Sequence, residues 1–459
     1  MRRYAGWTMS AALLAAPTAA PAADPEKPRV LVLSDIGNEP DDSESFVRFL
    51  LYSNGYDVAG IVATTSIHQP AKTQPQLFEE RIAAYARVLP NLKRHASGYP
   101  DADMLRARVR SGCASYGMAC VGAGKDTPAS RMIVALADDP DPRPLWVSVW
   151  GGAADLAQAL WSVRATRPKA AVDRFVKRLR VYSISDQDDA GPWARRSFPH
   201  LFWIASVHGW GQYPLAAWTG ISGDRFRPEK WPGSETVSDA WLEKTIRRGA
   251  LGQLYPMPAF IMEGDTPAFL SLIPNGLNAP ERPDWGGWGG RYTLADPAAG
   301  QYADAIDTVR GADGSTYSSS QATIFRWRAA FQQDFAARIG WTLTSDYAQA
   351  NHNPVLKLNG TAGQAPVTVS AARGSTVVAD ATGSRDPDGH SLRYRWWQYA
   401  EPSGGFRPLV VEIADPTAPR TRITLPAGTG PATFHVILEV TDDGTPALTS
   451  YRRLVIAAK

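Results

Sequence analysis

The chain has 459 residues, 44% of them apolar and 20% charged, with a formal net charge of +3, enough for two or three domains with a sizeable core. Setting aside Arg2 and Arg3 of a leader-like start, 46 basic residues stand against 45 acidic ones, a charge of +1. This balance and the lack of a basic stretch argue against a nucleic-acid polymer as partner, and no later stretch reaches the roughly 18 apolar residues that span a bilayer.

Residues 1–22 read as a signal peptide, with Arg2 and Arg3 at the start, an apolar run over 7–15, and Ala20-Pro21-Ala22 for cleavage. The mature protein is then expected to be periplasmic or secreted. Next comes VLVLSDIGNEPDDSES at 30–45. Val30 to Leu33 predict a short buried strand, and Phe46, Val47, Phe49 and Leu50 open a helical pattern. Between them lie Asp35, Glu39, Asp41, Asp42 and Glu44, with no Lys or Arg among them. Carboxylates this close repel one another unless compensated. Ca²⁺, which takes about six to eight oxygen ligands, is the simplest compensator. Capping of a helix by Asp41 and Asp42 after Pro40 is the competing explanation, but Asp35 precedes the turn, where capping has no use for it.

Further strands are predicted at 56–65, 145–150, 179–184 and 202–207, with helices at 76–89 and 153–163. The alternation predicts an α/β domain over 28–345, an open, mostly parallel sheet with helices on both faces. Strands ending in carboxylates put them at the edge where such folds bind ligands. The only two cysteines, Cys113 and Cys120, form either a disulfide, in an oxidising compartment, or two buried thiols. Residues 255–292 are rich in Gly, Pro and Trp, which predicts ordered loops near a site. Helical spacing at 317–339 closes the first domain, and 341–353 reads as a linker. From 354 to 459, short alternating segments separated by turns predict an all-β, immunoglobulin-like sandwich. Its run ATGSRDPDGHSLRYRW resembles the polycystic-kidney-disease-like and cadherin-like folds of exported bacterial proteins. Asp386 and Asp388 within it are read as turn chemistry in preference to a calcium site.

No G-x-S-x-G elbow, H-E-x-x-H helix, complete P-loop or EF-hand spacing occurs. What remains are carboxylates at strand ends: Asp35/Asp41/Asp42, Asp186/Asp188/Asp189 and Glu263/Asp265. One rim gathering them suits hydrolysis at a sugar anomeric carbon by a metal-activated water. Asp35-x-Gly37…Asp41-Asp42 resembles the D-x-D-x-G-x-D-D signature of calcium-dependent nucleoside hydrolases, with two residues inserted before the paired acids. NEPDD, SVWGG, ISDQDD, EGDTP, IPNGL and PDWGGWGGRY resemble, more closely, the nucleoside-hydrolase-like domain of the cellulose-binding Sde182 family, which also carries a C-terminal β-sandwich.

The resemblance implies that Asp35, Asp41, Asp42 and Asp265 ligate Ca²⁺, with Asp35 also the general base. Ala154 matches a residue that ligates through its backbone carbonyl. It implies further that Asp186, Asp188 and Asp189 hold sugar hydroxyls; Asn38, Glu39, His68, Glu263 and Asn275 are further candidate substrate contacts. Many nucleoside hydrolases carry His immediately before the late Asp, where this chain has Gly264. Trp285, Trp288 and Arg291 lie in a loop foreign to those enzymes. Its Trp faces either stack on sugar rings, with Gly allowing close approach, or pack as a tight structural turn. His68 is either a substrate contact or an ordinary hydrogen-bonded His. The expected activity is an exported, calcium-dependent glycosidic-bond hydrolase, N-ribosyl in the strict reading. An O-glycoside hydrolase, or a cellulose- or plant-polysaccharide-binding protein on the same fold, is the alternative. The partner is a sugar-containing small molecule or plant polysaccharide.

Overall fold

A computed structural model of the chain describes residues 27–208, 210–296, 298–311, 313–403 and 408–459; the expected signal peptide lies outside them. The first domain is built on eight strands: β1 (Arg29–Ser34), β2 (Asp57–Ala63), β3 (Val109–Ser111), β4 (Leu145–Val149), β5 (Leu179–Ser183), β6 (Phe202–Ala205), β7 (Tyr292–Asp296) and β8 (Gln301–Asp304). They stand in the order β3-β2-β1-β4-β5-β6-β8-β7. All neighbours pair in parallel except β7, which runs antiparallel to β8.

Strand β1 is buried along its whole length because both faces of the sheet are covered. Its alternating side chains divide between two cores. Val30 and Val32 pack with helices α1 (Asp41–Leu51) and α2 (Gln76–His95), while Leu31 and Leu33 pack with helices Pro128–Asp138 and Ala154–Thr166. The chain winds outward from β1 to β3, then returns to place β4 on the other side of β1. The crevice beyond the carboxyl ends of β1 and β4 is therefore the topological switch point, where open α/β sheets take ligands.

Residues 255–292 hold only short helical turns, such as Pro267–Leu270 and Pro283–Trp285. The expected linker is not a free tether. Its start belongs to helix Arg328–Leu343, and Trp341, Asn351 and His352 are buried. A disulfide joins Cys113 and Cys120, with Cα atoms 6.0 Å apart.

A hairpin, β9 (Asp307–Arg310) and β10 (Thr316–Ser319), precedes the closing helices. The C-terminal domain contains β11 (Val367–Ala371), β12 (Thr376–Asp380), β13 (Leu392–Tyr399), β14 (Glu412–Ile413), β15 (Arg420–Thr424), β16 (Ala432–Asp442) and β17 (Thr449–Ala458). They form two sheets, β11-β17-β16-β13 and β12-β15-β14, around one core that includes Trp396, Ile423, Phe434 and Leu454. Tyr399, Ile437 and Tyr451 face the other way and join the core of the first domain.

Candidate metal centre at the sheet edge

Asp35 follows β1 directly. Its Oδ2 accepts the Ser66 hydroxyl, and Ser66 Oγ in turn accepts the N–H groups of His68 at 2.9 Å and Gln69 at 3.1 Å. Gln69 Nε2 donates to the Asp35 carbonyl at 3.0 Å. The turn after β2 thus fixes the carboxylate that ends β1. Gly151, after β4, makes room for it: a Cβ there would lie 2.5 Å from Asp35 Oδ1.

Asp41 and Asp42 open α1, but Pro40 stands at the cap position and makes no side-chain cap. Asp41 Oδ1 accepts only the N–H of Asp42, at 3.1 Å, and Asp42 Oδ1 accepts the Ser34 hydroxyl. Asp265 arrives from the long loop. Carboxylate oxygens of Asp41, Asp42 and Asp265 converge within 4.8 Å of one another, all three residues buried. Asp265 Oδ2 is itself buried and makes no hydrogen bond. Asp35 is beside this triad and adds repulsion to Asp41, Asp42 and Asp265, without being one of the three that converge.

Burial foremost, then neighbouring carboxylates, push Asp42 and Asp265 well above the usual carboxylate range and Asp41 up to about 8. Burial lifts Asp35 to about 6 despite its Ser66 hydrogen bond. Donors are all carboxylate oxygens, one of them orphaned, and the main perturbing charges are negative. A divalent, oxygen-seeking cation fits this set geometrically and electrostatically.

The raised values have a consequence for the metal-free chain. An acid whose folded pKa exceeds its unfolded value stabilises the fold below the unfolded pKa and loses that contribution as pH rises through the folded one. Metal-free protein is therefore expected to lose stability between about pH 4 and pH 8, the window set by the unfolded value of 3.8 and the folded values near 6 and 8. Added Ca²⁺ should raise the melting temperature most at the upper end. A metal-free melting temperature that climbs over this window would contradict the arrangement.

The other expected site residues divide. Asn38 is exposed and Glu39 and His68 half-buried at the mouth, with His68 Nδ1 3.9 Å from Glu39 Oε1. Asp188 accepts the N–H of Ala190 at 3.0 Å through Oδ1, while its buried Oδ2 has no partner and would lie 2.4 Å from a Cβ at Gly152. Burial raises it to about 7. Asp186 is bound by both guanidinium nitrogens of Arg195, at 2.8 and 2.6 Å, and Asp189 accepts the Met118 N–H at 2.8 Å.

Six expectations need correction. Glu263 does not reach substrate: it is fully buried, 2.6 Å from Arg48 Nε, and holds Tyr255 and Thr266 hydroxyls. It sits at φ 54°, a left-handed conformation that aims the Gly264-Asp265 corner. Ala154 is the first residue of helix Ala154–Thr166, so its carbonyl points down the helix, away from the carboxylates. Asn275 Oδ1 accepts Leu277 and Asn278 N–H at 3.0 and 2.9 Å, and its carbonyl accepts Tyr451 N–H at 3.3 Å, against the second domain.

The Trp285–Arg291 loop lies in the same interdomain seam. Trp288 is 1% exposed and meets Phe331 and Tyr451 edge-on. Arg291 pairs with Asp307 at 2.6 Å, and Asp307 accepts the Tyr399 hydroxyl at 2.6 Å. Trp285 packs on His435, flanked by Arg282 and Arg453. The tight structural turn is therefore the reading that holds. A Cβ at Gly286 would lie 2.4 Å from the Tyr399 hydroxyl, and one at Gly289 2.5 Å from the Pro267 carbonyl.

Sequence reasoning missed Ser34, Ser66 and Gln69, which hold the carboxylates, and an aromatic wall. Trp218 would lie 2.9 Å from a Cβ at Gly264 and packs edge-on against Tyr213 at 5.5 Å. Asp186, Asp35 and Glu39 all act on the Tyr213 hydroxyl, which burial already pushes upward. The serines that end the strands were the available signal.

A family model described as the cellulose-binding Sde182 nucleoside hydrolase-like domain matches residues 29–292. One for the C-terminal domain of cellulose-binding protein Sde0182 matches 376–458. A solved structure of a nucleoside hydrolase-related hypothetical protein from Saccharophagus degradans, described as associated with carbohydrate metabolism, is 35% identical. The match covers 94% of this chain and 100% of that one, with a TM-score of 0.80. The type III effector XopQ complexed with adenosine diphosphate ribose matches at 14% identity over 70% of this chain and 96% of that one, TM-score 0.29. No curated relative matches the chain.

Proposed function

The chain belongs to the cellulose-binding Sde182 family with a nucleoside hydrolase-like domain, and from that membership we propose that it acts on plant polysaccharide, binding it and hydrolysing an O-glycosidic bond with the help of Ca²⁺. The observation that carries this reading is the buried triad of Asp41, Asp42 and Asp265 beside Asp35. Bound calcium would supply Lewis acidity to a water and charge compensation for the acids. Asp35, held by Ser66 beside the triad, is the proposed base that takes a proton from that water. Asp188 keeps its proton up to about 7 and can give it to a departing oxygen or donate a hydrogen bond to a sugar hydroxyl. Asn38, Glu39 and His68 at the mouth are the proposed sugar contacts.

A second reading is N-ribosyl hydrolysis, favoured by the nucleoside hydrolase-like fold. Gly264 weighs against it. A Cβ there would stand 2.8 Å from Asp41 Oδ2 and 2.9 Å from Trp218, leaving no room for the His that helps a base depart in many nucleoside hydrolases. A disulfide suits an oxidising compartment, so export behind a cleaved 1–22 leader is part of the proposal. No helix among the described residues is long and apolar enough to cross a membrane. For the C-terminal domain, whose strands β11 and β17 pair in parallel, the immunoglobulin-like identity is proposed as well.

Nucleosides and plant glycans assayed with calcium and with chelator separate the readings. Reducing sugar from a glycan, lost on chelation, is expected. Free base from inosine or uridine, with no glycan cleaved, would favour the second reading. Retention on insoluble cellulose without any cleavage would leave the binding role alone.

A further inference from the structure

At the end of the C-terminal domain that faces the first, a second group of acids lies outside the site described above. Asp386 begins the turn before β13, and its side chain is 1% exposed. Its Oδ1 accepts the N–H groups of Asp388 at 2.9 Å and His390 at 3.0 Å. That is the whole requirement of an Asx turn, yet Oδ2 is also buried and has no partner. His390 Nδ1 stands 3.5 Å from Asp386 Oδ1 and is likewise buried without a hydrogen bond. One ligand atom from each of Asp386, Asp388 and His390 falls within 4.8 Å of the others.

On the neighbouring strand stands another buried acid, outside that 4.8 Å convergence. Asp442 ends β16 in register with Leu392, the first residue of β13 after this turn. It is fully buried. Its Oδ1 is filled by Asn351 Nδ2, Gly444 N and Leu448 N, each at 3.0 Å, and its Oδ2 is left over. The peptide between Asn351 and His352 ties the two sides together: Asn351 bonds Asp442, and the His352 N–H donates to Asp388 Oδ2 at 2.7 Å. The three orphaned atoms can all accept, and the ion pairs of Asp386 and Asp388 among the described residues are to histidines. Buried acceptors of this kind need a partner.

We propose that Asp386 and Asp388, with His390, bind a divalent cation that fastens the junction between the two domains, with Asp442 bracing the turn through Asn351. The donor set is two carboxylates and one imidazole, so the class is a divalent cation that accepts mixed oxygen and nitrogen ligands, Mn²⁺ or Zn²⁺ ahead of Ca²⁺. The ion would hold Asn351 and His352, and His352 carries the effect onward. Its Nε2 lies 3.0 Å from His95 Nδ1 on α2, and its ring stacks on Tyr347 at 3.7 Å.

The test counts bound ions on metal-stripped full-length chain by calorimetric titration with Ca²⁺, Mn²⁺ and Zn²⁺ in turn. Asp42→Asn with Asp265→Asn removes the sheet-edge triad. That variant, folded by circular dichroism, is expected to keep one cation per chain. Asp386→Asn retains the turn-forming oxygen while replacing the free one, and should weaken this remaining ion by at least about tenfold. If the double variant does not fold, wild type against Asp386→Asn decides, with two ions falling to one. A folded double variant that binds none of the three metals, or an ion count unchanged by Asp386→Asn, overturns the proposal. A single wild-type ion that only Asp386→Asn removes upholds it and refutes the sheet-edge site instead.

Discussion

Asp35→Asn is expected to lower glycan hydrolysis by about 10²–10⁴-fold, the range for loss of a positioned general base, with the fold intact. The amide keeps the shape and can still accept from Ser66, so the turn that holds residues 66 to 69 has no reason to move. What is lost is the proton acceptor. Because the converging oxygens belong to Asp41, Asp42 and Asp265, Ca²⁺ affinity should suffer less from Asp35→Asn than from Asp42→Asn. Rate and calcium titration on the same preparation read both effects. Undiminished turnover by Asp35→Asn would remove this residue from the chemistry, and the hydrolytic reading would pass to another acid or fail.

Trp288→Ala is expected to cost about 3–5 kcal/mol of stability, as for other large aromatic truncations in a core. Its ring is sealed between Phe331 and Tyr451 at the junction of the domains, and its N–H donates to Asn278 Oδ1 at 3.0 Å through the backbone. Denaturant unfolding should show the loss. Folded Trp288→Ala protein at low temperature should bind insoluble cellulose as wild type does, because no sugar can reach the ring. Normal stability with weakened cellulose binding would mean that the loop meets polysaccharide after all.

The sheet was legible where burial left a pattern. Strand β1 is apolar along its length and breaks sharply into carboxylates, and β2, β4, β5 and β6 carry comparable runs. Strands β7 to β10 did not stand out because most of their side chains are exposed or half-exposed, so no face had to be apolar. Helix Pro128–Asp138 went unread although Thr127 forms a capping box with Ser130.

The acidic cluster was legible for a related reason: Asp35, Asp41 and Asp42 lie close in sequence without a basic neighbour. Asp265 joins them only through the fold and was reached by resemblance. Glu263 and the Trp loop were misplaced because composition does not tell a buried contact from a substrate contact. A Glu between apolar residues suits an Arg48 partner as well as a sugar. Trp and Gly that appose a ring to a backbone do so equally well inside a domain seam. Ala154 shows a limit of another kind, since a backbone ligand leaves no trace in the side chain and only the helix start reveals where the carbonyl points.

One divalent cation is expected among Asp41, Asp42 and Asp265. Diffraction from crystals of the chain grown in Ca²⁺, with anomalous signal collected, tests it most directly. An anomalous peak is expected, with oxygens of all three carboxylates about 2.3–2.6 Å away. Well-ordered carboxylates holding only water, or paired with one another through shared protons at a calcium concentration that saturates other sites, would contradict it.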